Sequence, residues 1–454
     1  MAASSADTGP QQDRCRNPPS DWTINTALAW INAKANFERT PDRNEAARAL
    51  KLERMRALAA ALGDPQLGVP ALHVAGSKGK GSITRMAASI LNAAGLQTGA
   101  FTSPHLISPN ERIAVDRTPI ADHDLARALW RVAQAEDKIP ADVRQRFGVP
   151  TYFEAMTAAA FEHLAQAQCD AAVYEVGLGG RLDSTNILTP KACVLASIEL
   201  EHTEILGDTL ERIAAEKAGI LKPGVPAIAT PQTPEVLGVF RERADAIGAP
   251  LTVLGQDAPF AHKMDGGHAF VDLTIASHVF TDLRCPFPGI HQAANTAAAV
   301  AGCALLLGDR LTTDAVHAGL AATPRDGRME VIAKEPTIIV DGAHTPTSIR
   351  ATLDALPPHD GPMVIVFGCA RDKNAAAMLK TIEAVDGHVV FTEAGPRATP
   401  AAALRDAYAV PAQANSNTEE ALTLARKHAG RAGLILVLGS FMLAGEVKRL
   451  AATR

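Results

Sequence analysis

The run Gly76–Ser82 (G-S-K-G-K-G-S) constrains this chain more than any other stretch, because of what flanks it. An apolar segment, Ala71-Leu72-His73-Val74-Ala75, precedes it, and apolar residues recur after it at Ile83, Met86, Ala87, Ile90, Leu91 and Ala94. That recurrence marks one face of a helix, and Gly95 stands where a helix commonly stops. Strand, glycine loop and helix form the setting in which such a loop cradles phosphate. Glycines let backbone N–H groups approach phosphate oxygens, the helix N-terminus adds a positive field, and Lys80 brings a mobile charge. The loop departs from the general pattern in that Gly81 separates Lys80 from Ser82. The run Thr98–Thr102 supplies the second strand of a βαβ unit, which favours a nucleotide triphosphate site over a plain strand-to-helix turn.

At 454 residues the chain exceeds one ordinary core, and its length suggests two or three domains. A net charge of −5 argues against nonspecific nucleic-acid binding. The cysteines (Cys15, Cys169, Cys193, Cys285, Cys303, Cys369) never approach C-x-x-C spacing, as befits small buried residues in a reducing compartment. The polar N-terminus has no apolar secretory core, and the run Ala297–Gly308 is far short of the ~20 residues that span a bilayer. The reading is a cytoplasmic protein that takes small-molecule substrates and engages neither nucleic acid nor membrane.

Residues 1–21 read as a disordered tail before the amphipathic stretch Trp22–Leu62. From Leu72 onward strand-like and helix-like runs alternate, which predicts a parallel sheet covered on both faces. Val173–Val176 and Val194–Ile198 are two of its strands, and Asp208-Thr209-Leu210-Glu211 opens a helix through Ile220. Residues 251–287 suggest hairpins against the main sheet, followed by a long alanine-rich helix after His291. The turn-rich Thr323-Pro324-Arg325-Asp326-Gly327 marks a break. A second α/β series follows, with strands at Ile338–Val340, Met363–Phe367, His388–Phe391 and Leu434–Leu438. The expected organisation is an ATP-binding domain over 22–322, a hinge at 323–327 and a smaller α/β domain over 328–454.

Ligands of doubly wound sheets gather at strand carboxyl ends, where Ser82, Glu175 and His202 collect. A hydroxyl, a carboxylate and an imidazole near a triphosphate suit Mg²⁺, although histidine is unusual for so hard an ion. Each also has a plain structural reading, as a solvated strand-end acid or a core histidine.

Longer strings carry a resemblance. They run from Asn36-Phe37-Glu38 through Thr102-Ser103-Pro104-His105-Leu106, Asn110-Glu111-Arg112-Ile113 and Thr151-Tyr152-Phe153-Glu154-Ala155. Next come Glu175–Asn186 (E-V-G-L-G-G-R-L-D-S-T-N), Glu201-His202-Thr203, Glu216-Lys217-Ala218-Gly219-Ile220, and His291-Gln292 with Asn295. Gly327-Arg328, Asp341-Gly342-Ala343-His344, Asp372-Lys373 and Gly439-Ser440 complete the series. In these strings the chain resembles the folylpolyglutamate synthase/dihydrofolate synthase family of the Mur ligase superfamily, over nearly everything but the tail.

The resemblance implies a P-loop parallel-sheet ATPase domain followed by a smaller Rossmann-like α/β domain, acting as a monomer. It implies ATP-driven glutamate addition to a folate-type carboxylate through an acyl phosphate. The rivals are a sister ligase on a non-folate carboxylate and a silent nucleotide-binding homologue. The resemblance assigns Gly76, Gly79, Lys80, Gly81, Ser82, Asn295, Arg328 and Asp341 to ATP. It gives Ser103, Glu175 and His202 to Mg²⁺, with Ser103 rather than Ser82 as the metal serine. Thr151, Tyr152, Phe153 and Glu154 fall to the pterin substrate, His344 and Ser440 to glutamate or the acyl phosphate. Lys217 matches a lysine that carries a carbamate. Four positions depart from the family's usual residues: Lys78 for asparagine, Glu201 for aspartate, Thr345 for asparagine, and Asn374 for aspartate.

Overall fold

Strand β1 (Ala71–Ala75) has every residue buried, as a strand with neighbours on both sides and helices on both faces must. This emerges from a computed structural model that describes residues 17–38, 51–265 and 267–452. Most of the expected tail, the middle of the Trp22–Leu62 stretch and Gly266 lie outside the described residues. Within that stretch, helices span Ile24–Asn32 and Leu52–Ala61.

Strands β2 (Thr98–Phe101), β5 (Ala171–Glu175), β6 (Ala192–Leu195), β7 (Ala227–Ala229) and β8 (Leu251–Val253) join β1 in parallel. The full order is β4-β3-β2-β5-β1-β6-β7-β8. The sheet is not wholly parallel: β3 (Ile113–Val115) and β4 (Thr118–Pro119) run antiparallel at one edge. These strands are too short for periodicity to reveal, and Asp116 and Arg117 turn between them with positive φ.

The 251–287 region holds β8 of the main sheet and a three-stranded antiparallel sheet, β9 (Phe260–Asp265), β10 (His268–Ile275) and β11 (His278–Arg284). That small sheet buries Val271, Leu273, Phe280 and Leu283 in one core with the helix Gln292–Leu307. It therefore lies over the alanine-rich helix rather than directly on the main sheet. The helix is buried along most of its length, and its many alanines let it sit close to the β1 layer.

A second sheet comprises β12 (Glu330–Lys334), β13 (Thr337–Val340), β14 (Met363–Phe367), β15 (His388–Phe391), β16 (Gln413–Ala414) and β17 (Leu434–Leu438). Its order is β12-β13-β17-β14-β15-β16, parallel except for β12. Residues following the carboxyl ends of β1, β2, β5 and β6 face residues following β13, β14 and β17 across one cavity of about 740 Å³.

A phosphate loop facing a second α/β layer

The loop after β1 is shaped by two glycines with little alternative. Gly76 and Gly79 have φ of 152° and 87°. A Cβ on Gly79 would lie 2.2 Å from Asn295 Oδ1. Ser77 and Lys78 N–H groups donate to Ser197 O at 2.8 and 3.1 Å, which fastens the loop to the segment after β6. The helix Lys80–Ala93 then starts directly behind it.

Three lysines converge here. Lys80 Nζ and Lys217 Nζ both donate to Gly76 O, at 2.7 and 2.9 Å. Lys217 also lies 3.4 Å from Glu201 Oε1, while Lys78 Nζ meets Glu201 Oε2 at 3.2 Å. Burial, aided by Lys80, pushes the Lys217 amine down to about 7. Burial favours a neutral Glu201, yet Lys80, Lys217 and Lys78 together outweigh it and hold the carboxyl well below its usual range. His202, next in sequence, is driven down to about 4 by burial.

Glu175 closes β5 with its side chain buried, and burial raises its pKa against the pull of Lys80 and Arg328. Its Oε2 accepts the Ser103 N–H at 3.2 Å. Gly81 is the gap between the halves: a Cβ there would stand 2.4 Å from Arg328 Nη2 and 3.2 Å from Glu175 Oε2. Arg328, stacked 5.5 Å from the Phe441 ring, therefore reaches from the second layer to the start of the phosphate-loop helix. Asp341 joins its own turn to the start of β12, accepting Ala343 N–H and Met329 N–H at 2.8 Å each.

These features match known proteins along most of the chain. The Mur ligase middle domain model matches residues 74–303, and the Mur ligase glutamate ligase domain model matches 327–441. The dihydrofolate synthase/folylpolyglutamate synthase of Bacillus subtilis is 32% identical over 433 residues, covering 93% of this chain and 98% of its own. The chain belongs to the dihydrofolate synthase/folylpolyglutamate synthase family. The Mycobacterium tuberculosis protein of the same name is 35% identical over 375 residues, 78% of this chain and 76% of its own. The structure of Escherichia coli FolC in complex with DHPP and ADP superposes with a TM-score of 0.83 at 29% identity, covering 96% of this chain and all of that one.

In this family member most of the expected residues line the cavity. Gly79, Lys80, Gly81, Ser82, Ser103, Thr151, Tyr152, Phe153, Glu154, Glu175, His202, Asn295, Arg328, Asp341, His344 and Ser440 border the cavity, whereas Gly76 and Lys217 are not among its lining residues. Ser103 and Glu175 are in contact, whereas His202 stands with Glu201 beside the lysines. Five of these are also committed to the scaffold. Thr151 and Glu154 form a capping box at the start of the helix Tyr152–Gln166, and Glu154 is further paired with Arg54 at 2.7 Å. Tyr152 is buried beside Arg112, and Phe153 rests on Gly177. Ser440 Oγ accepts Leu443 N–H at 3.0 Å, as the residue before the helix Phe441–Ala452.

Two contributors lay inside the quoted strings without a role. Gln292 Oε1 takes the Asn295 amide at 2.9 Å and so aims that side chain at Gly79. Arg112 is buried and clamps Glu38 through bonds of 2.8 and 2.6 Å while donating to His105 Nδ1 at 2.8 Å. Their presence in the N-E-R-I and H-Q-x-x-N strings was the available signal.

His344 carries a testable consequence. Burial, with Lys78 and Lys373 nearby, lowers its pKa to about 3. Between that value and the ordinary 6.5 the unfolded chain binds a proton that the folded one refuses, so this residue makes stability fall as pH drops. Denaturant melts at pH 7 and pH 4 are expected to show wild type losing more stability on acidification than His344→Gln.

Proposed function

We propose that this chain is an ATP-dependent ligase that joins L-glutamate to a folate-type carboxylate. The observation that carries the reading is the single cavity in which the phosphate loop of the first layer meets Arg328 and His344 of the second. The acceptor carboxylate attacks the terminal phosphorus of ATP, releasing ADP and forming an acyl phosphate. The glutamate amine then attacks the acyl carbon, and phosphate departs with one former carboxylate oxygen.

Lys80 and the start of the Lys80–Ala93 helix offset charge on the transferring group, and Arg328 adds a cation from the opposite side. Asn295 and Asp341 border the nucleotide. His344 Nδ1 lies 2.7 Å from Gly342 O, which only accepts, so the proton sits on Nδ1 and Nε2 keeps its lone pair. That nitrogen can accept a hydrogen bond from the incoming amine. Turnover requires the 328–454 part to close on the 22–322 part about residues 323–327, which excludes water from the acyl phosphate. One chain completes the cavity, consistent with a monomer.

Ser103, Glu175 and His202 would hold Mg²⁺. No cluster of three or more acidic, histidine or cysteine ligands occurs among the described residues. The donors still fit an ion that takes one or two protein carboxylates and completes its shell with phosphates and water. When bound, Mg²⁺ neutralises phosphate charge. The wall formed by Thr151, Tyr152, Phe153 and Glu154 would position the pterin, and Ser440 would border the glutamate.

Lys217 is the carbamate site: a buried amine lowered toward neutrality is nucleophilic enough to capture CO₂. Supplying ¹³C-bicarbonate should give wild type a carbamate ¹³C NMR signal and raise its activity. Lys217→Ala should lose both, and a small carboxylate should restore part of the activity.

Product mass tests the overall reading. Incubation with MgATP, L-glutamate and either dihydropteroate or tetrahydrofolate should yield both glutamylated products. Tetrahydrofolate product alone would leave only the polyglutamate activity. Product from neither would redirect the search to non-folate carboxylates.

A further inference from the structure

The incoming L-glutamate of the ligase reading presents its amine to His344 and carries two carboxylates that call for cationic partners. Among the described residues, the second layer contributes Arg328, Lys373 and Arg397 to the cavity as cations. Arg328 reaches back to Gly81 and so belongs to the phosphate side. Lys373 and Arg397 stand on the loops that follow β14 and β15.

Those loops are fastened to one another and to the His344 loop. Arg371 N–H donates to Arg397 O at 2.9 Å, and Thr399 N–H to Cys369 O at 2.8 Å. Gly368 N–H donates to Leu438 O at 3.2 Å, and Gly439 N–H to Ala343 O at 2.8 Å. His344, Ser440, Lys373 and Arg397 therefore line the cavity in the strand order β13-β17-β14-β15. Neighbouring strands lie about 4.8 Å apart, which sets the Arg397 loop about 14 Å along the sheet from that of His344. Of the buried side-chain polar atoms without a hydrogen-bond partner among the described residues, Arg397 Nη1 is the one whose residue borders the cavity. Its ion pair with Asp372 Oδ1 spans 3.7 Å, beyond hydrogen-bond distance. A buried donor left unpaired is unfavourable, and a ligand oxygen at Nη1 would relieve it.

We propose that Arg397 binds the side-chain carboxylate of the incoming L-glutamate and selects glutamate over glutamine. With the amine at His344, the α-carboxylate stays beside it on the same carbon. The side-chain carboxylate extends past the methylenes toward the β15 loop. The planar guanidinium fork matches a carboxylate through two parallel N–H···O bonds. Glutamine would set an amide N–H donor against a guanidinium donor, a mismatch that a polar pocket rejects strongly. The inference rests on the ligase reading above and names the residue that reads its amino acid.

The test is steady-state kinetics on the full chain with saturating MgATP and tetrahydrofolate, varying L-glutamate or L-glutamine and following product mass. Arg397→Gln should raise the KM for L-glutamate about tenfold or more, with kcat and the KM for ATP within about twofold, because the contact is the same before and during transfer. Its preference for glutamate over glutamine in kcat/KM should fall by a similar factor. That ratio is taken within one sample, so a smaller folded fraction does not mimic the change. Arg397→Lys, which keeps the charge without the fork, should retain part of the preference. An unchanged glutamate KM and preference in Arg397→Gln would overturn the proposal and leave the ligase reading standing. A rise confined to the KM for tetrahydrofolate would also overturn it, moving Arg397 to the acceptor. A wild type that glutamylates neither dihydropteroate nor tetrahydrofolate would overturn both.

Discussion

Replacing Lys80 with alanine is expected to lower kcat/KM for ATP about a thousandfold, at the upper end of what removing one preorganised charge-stabilising donor costs. The side chain folds back over its own loop, donating to Gly76 O at 2.7 Å and Ser77 O at 3.4 Å. Those bonds are local and tie no distant elements together. Stability should consequently change by less than about 1 kcal/mol, and thermal melts should nearly coincide with wild type. Lys80→Arg should not rescue activity. The planar guanidinium needs width, and the loop is already crowded by Asn295 against Gly79 and Arg328 against Gly81. Steady-state kinetics with a thermal melt on the same samples checks both halves; a melt lowered in proportion to the activity loss would reassign Lys80 to a structural role.

Arg54→Met should have the opposite profile, a large loss of stability from a residue outside the phosphate loop. Arg54 is buried and fixed to Glu154 by two bonds, 2.7 Å from Nε and 2.9 Å from Nη2, with Nη1 donating to Phe147 O. Glu154 in turn accepts the Thr151 N–H at 2.7 Å, so the pair sets the first turn of the helix Tyr152–Gln166. Removing the arginine leaves a carboxylate buried with one backbone donor, for which breaking a buried pair typically costs about 3–5 kcal/mol. Urea denaturation should show this loss. The double variant Arg54→Met/Glu154→Leu should recover much of it, because no uncompensated charge remains. If the single variant were as stable as wild type, the pair would be a surface-like contact and the wall would owe its shape to packing alone.

What the sequence made legible follows distance along the chain. Ala71–Ala75, Gly76–Ser82 and the helix behind them are contiguous, so spacing and glycine placement were enough to read them. The strands at Met363–Phe367, His388–Phe391 and Leu434–Leu438 were equally plain, being short apolar runs buried on both faces. The β3–β4 edge was not, since strands of three and two residues carry no period. The family strings placed Glu175, His202, Arg328 and His344 on the cavity wall. The spacing Thr151-x-x-Glu154 is that of a capping box, and both residues do spend polar atoms on the helix cap. The pairings Arg112–Glu38, Arg54–Glu154 and Lys78–Glu201 span 74, 100 and 123 residues, and only the closed fold brings them together.

The central claim is that a substrate carboxylate, not water, takes the phosphoryl group. The direct measurement uses tetrahydrofolate with ¹⁸O in both carboxylates of its glutamate, incubated with enzyme, MgATP and L-glutamate, followed by mass analysis of the inorganic phosphate. Transfer through an acyl phosphate places one ¹⁸O in each phosphate released alongside product. Unlabelled phosphate formed together with glutamylated product would contradict the account.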